Sequence, residues 1–315
     1  AAFKKKWLER PGYPKVTSRT LYDAPSRTLT LTLRQDTAGD EEPFPVPVDV
    51  ALVDHHGRDL EGTAVTLVLT SREQTFRFAD LPSPPAFASL NRDASFYGSF
   101  AEENRDDDTL ALQALKDPNR FNRVEAFRTL TDQQRILQIT SPGCAVSDAW
   151  LSLYGRILTD ADLSSACKAC MLRIDEQPLD RRYAAWFPEL VRARDALMAA
   201  INTRYAADLT ACFHELRPSL VSPASLQDGI EKRLLFSVLV DLIAVADTPE
   251  VHGMLLDAFH NARTATERCA ALTALHRSSW PGRLALLEET YALWHRDVTG
   301  YANYLKVIAS GMHSD

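Results

Sequence analysis

The stretch TLTLTL, residues 28–33, alternates threonine with leucine, so its three leucines share one side of an extended chain. Successive side chains of a β-strand point to opposite faces, and this pattern therefore predicts a strand with one face buried in a core. Residues 46–52, VPVDVAL, repeat the alternation. Pro45 and Pro47 indicate that this second strand lies at a sheet edge or begins irregularly, because proline has no N–H for a sheet ladder.

Further short strands are predicted on either side of a proline cluster at residues 82–85. The predicted strands are residues 65–70, 75–78, 86–91 and 95–100. Turn-forming residues separate the strands at intervals of roughly 8–12 residues. About six or seven short strands with this spacing are typical of an immunoglobulin-like β-sandwich, which we assign to residues 13–101.

The acidic run EENRDDD, residues 102–108, marks a change from strands to helices. Its aspartates precede TLAL, and negative side chains in a first helical turn are stabilised by the positive end of the helix dipole. Beyond this run apolar residues recur at intervals of about 3.6 residues, as at Phe121, Val124 and Phe127. We therefore predict that residues 102–315 are α-helical, without strands.

Breaks divide this helical half into about ten helices of roughly 10–25 residues each. The predicted breaks are residues 141–143, 178, 218, 222–223, 248–249 and 280–282. Amphipathic helices with short connectors form either a globular bundle or a solenoid in which each helix pair buries its apolar face on the next. A spacing of about 30–45 residues per pair favours an armadillo/HEAT-like superhelical array, although no repeat consensus is visible.

Charge and hydropathy argue against several classes of protein. The 35 basic and 42 acidic residues give a formal net charge of −7, which argues against nucleic acid as a partner. No apolar run reaches the roughly 20 residues of a membrane span, and the basic N-terminus lacks the apolar stretch of a signal peptide. The acidic balance fits a cytosolic or periplasmic protein, and of the two we expect a bacterial cytoplasmic protein with neither a membrane nor a nucleic-acid partner.

Five cysteines at irregular spacing do not form a disulfide framework. We expect them to be reduced, buried thiols. Cys167 and Cys170 form a single C-x-x-C. A zinc site would need a second pair, and a redox site would need a preceding strand, so we predict a structural role within a helix.

The histidines also fail to form a metal site. His214-Glu215 begins the H-E-x-x-H pattern of zinc proteases, but Pro218 stands in place of the second histidine and is expected to end the helix. His252 and His260, eight residues apart, are predicted to be exposed on one helix face.

The remaining chemistry-bearing patterns are equally incomplete. His55-His56 lies in a predicted hairpin turn, where adjacent side chains diverge. No glycine-rich phosphate loop or G-x-S-x-G elbow is present, and the acidic clusters fit helix ends and solvated faces better than an acid/base pair. We therefore assign no catalytic, cofactor-binding or metal-binding residue to this chain.

Several blocks of sequence resemble, in the same order, the region that follows the catalytic domain in bacterial aminopeptidase N enzymes, which are zinc metalloaminopeptidases. The blocks are GYPKV at residues 12–16, TLTLTLRQ at 28–35, EQTFRF at 73–78 and DPNRFNRVEAFRTL at 117–130. EQTFRF is similar almost letter for letter to the family's E-Q-T-F-x-F, whereas Val124 and Glu125 replace a Trp and an Asp of the family's helix. Beyond residue 130 the similarity is weaker.

The resemblance implies an immunoglobulin-like domain followed by a superhelix of armadillo or HEAT-like helix pairs. The family's H-E-x-x-H…E zinc site and its G-A-M-E-N motif lie before this region, so none of its catalytic residues maps onto this sequence. The implied role is the non-catalytic C-terminal part of an enzyme that removes N-terminal residues from peptides. Zinc would be a cofactor of the parent enzyme, and the partners would be its catalytic domain and peptides.

Two alternatives stay open. One is a stand-alone helical-repeat module that binds a protein segment. The other, less favoured, is an enzyme with an unrecognised site among the helices.

The two ends of the chain suggest an excised piece, truncated at its C-terminal end. Residues 1–12 contain no Met and are interpreted as the tail of a preceding catalytic domain or a linker. Phe3 and Trp7 are expected to pack poorly, because no strand pattern adjoins them. An apolar stripe is predicted on one face of the last helix, at Tyr301, Tyr304, Leu305 and Ile308. We expect this stripe to be exposed or to pack against another copy of the chain.

Overall fold

The structure, a computed structural model, describes residues 2–37, 42–174, 181–183 and 185–311. It contains two compact units, Ala1–Leu130 and Thr131–Asp315. The predicted architecture, an immunoglobulin-like sandwich followed by an array of helices, is confirmed. The predicted break at Pro178 and His313 lie outside the described residues.

The first unit is a sandwich of two sheets. Its strands are β1 (Lys15–Asp23), β2 (Thr28–Asp36), β3 (Val46–Val53), β4 (Val65–Leu69), β5 (Glu73–Phe78), β6 (Phe87–Leu90) and β7 (Ser99–Glu102). One sheet has the order β5-β2-β1-β7 and the other β4-β3-β6. All pairs are antiparallel except β1 with β7, which are parallel.

The core of the sandwich lies between the two sheets. The leucine face of β2 is buried, with Leu31 and Leu33 both 0% exposed. These leucines belong to one apolar cluster with Val48 and Leu52 of the opposite sheet. Burial of such a side chain contributes roughly 1.5–3 kcal/mol, so the alternation in β2 determines which face of the strand turns inward.

β3 is the middle strand of its sheet, so of the two predicted alternatives, a sheet edge or an irregular start, the edge does not apply to the strand as a whole. However, β3 pairs with β4 at residues 46–50 and with β6 only at residues 50–53. On the side away from β4, Ser95 Oγ accepts from the Asp49 N–H at 3.0 Å and donates to the Pro47 carbonyl at 3.3 Å. The N–H that Pro47 lacks would point to this same side, where there is no neighbouring strand.

Trp7 is better packed than expected. It ends α1 (Ala2–Trp7), and its ring centroid lies 4.8 Å from that of Phe44 in the sandwich core. The guanidinium of Arg10 lies 4.1 Å from the centroid of the same Phe44 ring. The prediction of poor packing at Trp7 is therefore wrong, because Phe44 in the segment before β3 offers the apolar surface. The side chain of Phe3 lies outside the described residues.

The change from strands to helices falls inside the acidic run. β7 ends at Glu102, and α2 (Asp107–Lys116) begins with Asp106 as its N-cap. The Asp106 carboxylate accepts from the Thr109 N–H at 2.7 Å, as predicted for negative charge at a helix start. The compact units divide later, after Leu130, because α2 packs on β6. The predicted boundary between residues 101 and 102 lies close to the change of secondary structure, not at that division.

The remaining helices follow with short connectors. They are α3 (Arg120–Thr140), α4 (Asp148–Thr159), α5 (Ser165–Leu172), α6 (Phe187–Val221), α7 (Leu226–Ala244), α8 (Pro249–His260), α9 (Ala265–Arg277), α10 (Arg283–Trp294) and α11 (Val298–Ala309). Hydroxyl side chains cap five of them, at Ser147, Ser164, Ser225, Thr248 and Thr264. Each hydroxyl satisfies a backbone N–H that has no partner within the helix.

Helix pairs repeat along the second unit. Consecutive helices pack as α4–α5, α6–α7, α8–α9 and α10–α11, and α5, α7, α9 and α11 also pack side by side in a row. Leu239, Leu255 and Leu272, each at most 1% exposed, lie in the core between these helices. Each pair thus buries its apolar surface on the next, as expected of a helical-repeat array.

Pro218 does not end its helix, contrary to prediction. α6 continues to Val221, and only at Tyr205 does the backbone leave helical geometry, with φ −124° and ψ 19°. Pro218 lies in the last turn, and Leu220 beyond it is buried. Burial of Leu220 contributes roughly 1.5–3 kcal/mol, which is comparable to the roughly 3 kcal/mol cost of an internal proline.

The stripe on α11 is exposed over most of its length. Tyr301, Leu305 and Ile308 are 40%, 47% and 42% exposed, as predicted. Tyr304 is half-buried, and its ring centroid lies 5.3 Å from that of Tyr291 on α10. In the part of the chain that the structure describes, no helix is both long enough and apolar enough to cross a membrane.

Candidate functional site

The predicted absence of a zinc protease site can be examined at His214-Glu215. Both residues are exposed on α6, which runs through Pro218. Among the described residues, no three of the types His, Cys, Asp and Glu lie together so that they could hold a metal ion. The described donor set therefore does not fit the zinc ion of an aminopeptidase, and no catalytic step through zinc is derived for this chain.

His252 lies in a different environment from the one predicted. It is buried, at 7% exposure, whereas His260 on the same helix is exposed as expected. His252 Nε2 forms a 2.6 Å hydrogen bond with Asp247, which also accepts from the Ser279 N–H at 3.0 Å. Burial alone would raise the pKa of Asp247, but these hydrogen bonds hold it below its usual value. Asp247 thus links the loop before α8 both to α8 itself and to the loop after α9.

The cysteines differ in burial more than predicted. All five are free thiols, but only Cys167 is buried, and Cys170 is exposed. The C-x-x-C lies in α5, as expected, and Cys167 Sγ contacts Met171 Sδ at 3.8 Å. His55 and His56 are exposed in a turn, and no hydrogen bond places their side chains together.

One feature of the second unit that could hold a ligand is a groove between α7 and α9, with a volume of about 460 Å³. Ala265, Cys269, Thr273 and Arg277 line it from α9. These residues follow one another at intervals of four, so they share one face of the helix. Val238, Asp241 and Leu242 line it from α7, and Arg173 and Asn303 also belong to its lining. We call this feature the α7–α9 groove.

The charged side chains that line the α7–α9 groove in the described part of the chain are Arg173, Asp241 and Arg277. Asp241 accepts from Nη2 of Arg194 at 2.8 Å, so its negative charge is already paired with a buried cation. Nη1 of Arg277 lies 4.0 Å from the other oxygen of Asp241, and Nε of Arg277 donates to the Ser310 carbonyl at 2.9 Å. A second cavity of about 350 Å³ shares Asp241 and Arg277 with the groove.

Two further basic side chains act on Cys269 in the lining of the groove. Burial raises the pKa of the Cys269 thiol, while Lys306 and Arg268 oppose that rise. These two cations are therefore close enough to stabilise negative charge at the lining of the groove.

One feature of the sequence indicates the groove, and it is independent of the periodicity of apolar residues. Asp241 is the only charged residue in LLFSVLVDLIAVA, residues 234–246. The side chain of Asp241 is 43% exposed, and it pairs with the buried Arg194 on α6. The partner is 47 residues away in sequence, and only the packing of α6 on α7 brings it there.

Comparisons with known proteins agree with this architecture. Residues 107–315 match a family described as a domain of unknown function (DUF3458_C) with ARM repeats. Residues 12–103 match a family described as a domain of unknown function (DUF3458) with an Ig-like fold.

Two longer proteins are similar to nearly the whole chain. Aminopeptidase N of Escherichia coli is 25% identical in an alignment 318 positions long, which covers 93% of this chain and 35% of that protein. The crystal structure of Legionella pneumophila aminopeptidase A in complex with aspartic acid superposes with a TM-score of 0.80 at 19% identity, over 96% of this chain and 36% of that chain. The chain therefore spans about a third of the length of these relatives, and it corresponds to the C-terminal part of aminopeptidase N.

Proposed function

The chain belongs to the DUF3458_C family of ARM-repeat domains, and on this basis we propose that it acts as the non-catalytic C-terminal region of an aminopeptidase N-like enzyme. Such an enzyme removes N-terminal residues from peptides. The zinc site would lie in another part of the polypeptide, and this region would shape access to it.

One observation carries the proposal. Both domains of the chain match one relative in a single alignment that covers 93% of the chain, so the sandwich and the helices occur together there. Among the described residues no three of the types His, Cys, Asp and Glu lie together so that they could hold a metal ion, and we therefore propose no zinc site for this part of the polypeptide. Regularly packed helix pairs form a stiff surface, and a stiff surface beside an active site can admit an extended peptide while blocking a folded protein.

The proposed partners follow from this role. They are the catalytic domain of the same polypeptide and the peptides that it cleaves, with zinc bound by the catalytic domain. The net charge of −7 supports a protein that binds neither nucleic acid nor an anionic membrane surface, and we propose a cytoplasmic location.

The first test is to determine the complete reading frame that encodes this chain. An H-E-x-x-H motif upstream in the same frame is expected. The catalytic part would then be expressed with and without residues 1–315, and the release of N-terminal amino acids would be measured from an aminoacyl-nitroanilide, a ten-residue peptide and a folded protein with an accessible N-terminus.

The expected result is a change in selectivity. Without this chain, cleavage of the small nitroanilide should persist, and discrimination between the peptide and the folded protein should fall. Equal selectivity of the two preparations would contradict a role in access, and a frame without any metal-binding motif would contradict the enzyme assignment.

A stand-alone binding module is the second candidate, and the exposed stripe on α11 favours it. Tyr301, Leu305 and Ile308 present apolar surface that a protein segment could cover. If the chain is such a module, we expect the reading frame that encodes it to contain no peptidase motif.

A further inference from the structure

A small cleft in the second unit is lined by residues of α5, α6 and α7 and has a volume of about 200 Å³. Ser165 and Lys168 line it from α5, and Cys212, Glu215 and Ser219 line it from α6. On each helix these residues recur at intervals of three or four, so they share one face. We call this feature the α5–α6 cleft. Sites for drug-sized ligands have volumes of about 300–1,000 Å³, so this cleft suits a smaller ligand.

The α5–α6 cleft presents one positive and one negative side chain. Lys168 Nζ donates to the Leu158 carbonyl in the last turn of α4 at 3.1 Å, and its ammonium group has two further N–H donors. Glu215 is exposed, and neither it nor Lys168 forms an ion pair with another described residue. Burial raises the pKa of the Cys212 thiol, Lys168 opposes this rise and Glu215 adds to it, so both charges lie near the same sulfur. Two opposite charges that are not paired with each other favour a ligand that carries both.

Leucine side chains form the apolar part of the lining. Leu163, Leu216 and Leu235 belong to it and are 8%, 9% and 8% exposed. They come from three separate segments, the connection before α5, the helix α6 and the helix α7. A ligand with a short apolar side chain would bury that side chain against them, and the gain in free energy grows with the apolar area removed from water.

We propose that the α5–α6 cleft binds a single free α-amino acid with an apolar side chain, such as leucine. Lys168 binds its carboxylate, Glu215 binds its ammonium group, and the leucines contact its side chain. A free amino acid carries both charges on one carbon atom, whereas a peptide separates them by the length of its chain. The proposal goes beyond the proposed function and does not depend on it, because it follows from the charges and the volume of the cleft alone.

A titration of the whole chain with L-leucine up to about 10 mM, followed by saturation-transfer NMR, tests the proposal. We expect a dissociation constant of about 1 mM or lower, which is an ordinary affinity for so small a ligand. Three analogues each lack one recognised feature: N-acetyl-L-leucine has no positive charge, L-leucinamide has no negative charge, and glycine has no apolar side chain. Each should bind about fivefold or more weakly than leucine, because a charged contact or an apolar contact is lost.

Four variants separate the cleft from general charge effects. Lys168→Gln should weaken leucine binding about tenfold, and Lys168→Arg, which keeps the charge, should retain most of the affinity. Glu215→Gln should weaken binding about threefold to fivefold, since contacts between exposed charges contribute less. Glu289→Gln removes the same charge from an exposed position on α10 and should leave the affinity unchanged.

Cys212 reports where the ligand binds, in the wild-type chain and without any substitution. Bound leucine should slow the alkylation of Cys212 by iodoacetamide, measured by mass spectrometry of the digested chain, because the thiol belongs to the lining of the cleft. Cys170 is exposed on α5 outside the lining and should react at an unchanged rate.

Absence of leucine binding at about 10 mM would overturn the proposal, as would equal affinity for leucine and its two singly charged analogues. Equal losses in Glu215→Gln and Glu289→Gln, binding that is indifferent to Lys168→Gln, or equal protection of Cys170 and Cys212 would also overturn it. Leucine binding by a chain whose reading frame lacks a peptidase motif would leave the cleft site standing and reject the proposed function. Peptide selectivity that depends on this chain, without any leucine binding, would reject the cleft site alone.

Discussion

At the scale of single residues, Glu102 at the end of β7 has a pKa well above its usual value. Burial raises its pKa from the usual 4.5 to about 7, Arg105 opposes this rise, and Asp117 adds to it. Nη1 of Arg105 lies 2.8 Å from the Glu102 carboxylate. Between these two pKa values the folded chain binds more protons than the unfolded chain, so the free energy of unfolding falls as the pH rises through this window.

Replacing Glu102 by Gln tests this pH dependence. Each unit of pKa difference corresponds to about 1.4 kcal/mol, so the wild-type chain should lose stability by a few kcal/mol between about pH 5 and about pH 8. The Glu102→Gln variant should show a flatter profile in urea unfolding followed by circular dichroism. Glu103→Gln, one residue further and exposed, should keep the wild-type slope. Identical slopes in all three proteins would mean that Glu102 is ionised throughout this range.

The environment of a single residue was the least predictable property of this chain. A helical wheel places His252 and His260 on one face, but it contains no information about the loop before α8. Asp247 in that loop, with φ 47°, reaches back to His252 and buries it. The groove was missed for the same reason, because Arg194 and Asp241 are 47 residues apart and meet only through the packing of α6 on α7.

At the scale of elements, periodicity predicted most strands and helices, because alternate or helical burial dominates their stability. The errors lie where a tertiary contact decides the local geometry. α6 passes Pro218 because Leu220 is buried, and it bends at Tyr205, where the sequence contains no proline or glycine. The Tyr205 hydroxyl donates to the Leu151 carbonyl of α4 at 2.8 Å. The bend is thus fixed by a neighbouring helix.

The contact between α4 and α6 makes a specific prediction for Gly155. A methyl group at this buried position would overlap the Tyr205 ring. Gly155→Ala should therefore destabilise the chain by about 1–3 kcal/mol, the usual cost of overpacking. Gly253→Ala, at an exposed helical glycine with open space around it, should instead stabilise α8 by about 1 kcal/mol. Denaturant unfolding measures whether each substitution raises or lowers the free energy of unfolding. An increase in both variants would contradict the described packing of Tyr205.

At the scale of the whole molecule, the division into units differs from the change of secondary structure. α2 and the first part of α3 belong to the compact unit of the sandwich, which ends at Leu130. A buried polar network holds them there. Asp117 is 2% exposed and accepts from Ser89 at 3.0 Å, from Gln113 at 2.7 Å and from the Asn119 N–H at 2.8 Å. Asn122 donates to Ser89 and to the Leu90 carbonyl.

This network predicts that the sandwich needs its first helices. Burial raises the pKa of Asp117, and the hydrogen bonds from Gln113, Asn119 and Ser89 oppose that rise. Hydrogen bonds to a charged group contribute about 1.5–3 kcal/mol each, and all of them are absent from a fragment that stops after residue 106. A fragment of residues 1–130 should therefore melt at a clearly higher temperature than residues 1–106, by roughly 4 °C for each kcal/mol gained.

A matched pair of substitutions shows whether the network is the cause. Asp117→Ala in the longer fragment leaves Ser89 and Gln113 without their acceptor and should remove most of the gain in melting temperature. Asp108→Ala removes an exposed aspartate from the first turn of α2, and it should lower the free energy of unfolding by about 1 kcal/mol or less. Equal melting temperatures for the two fragments would mean that the sandwich is stable without α2, and the unit would then end where its strands end. If the longer fragment keeps its higher melting temperature after Asp117→Ala, the stabilisation comes instead from apolar contacts of α2, such as those of the buried Leu110 and Ala114.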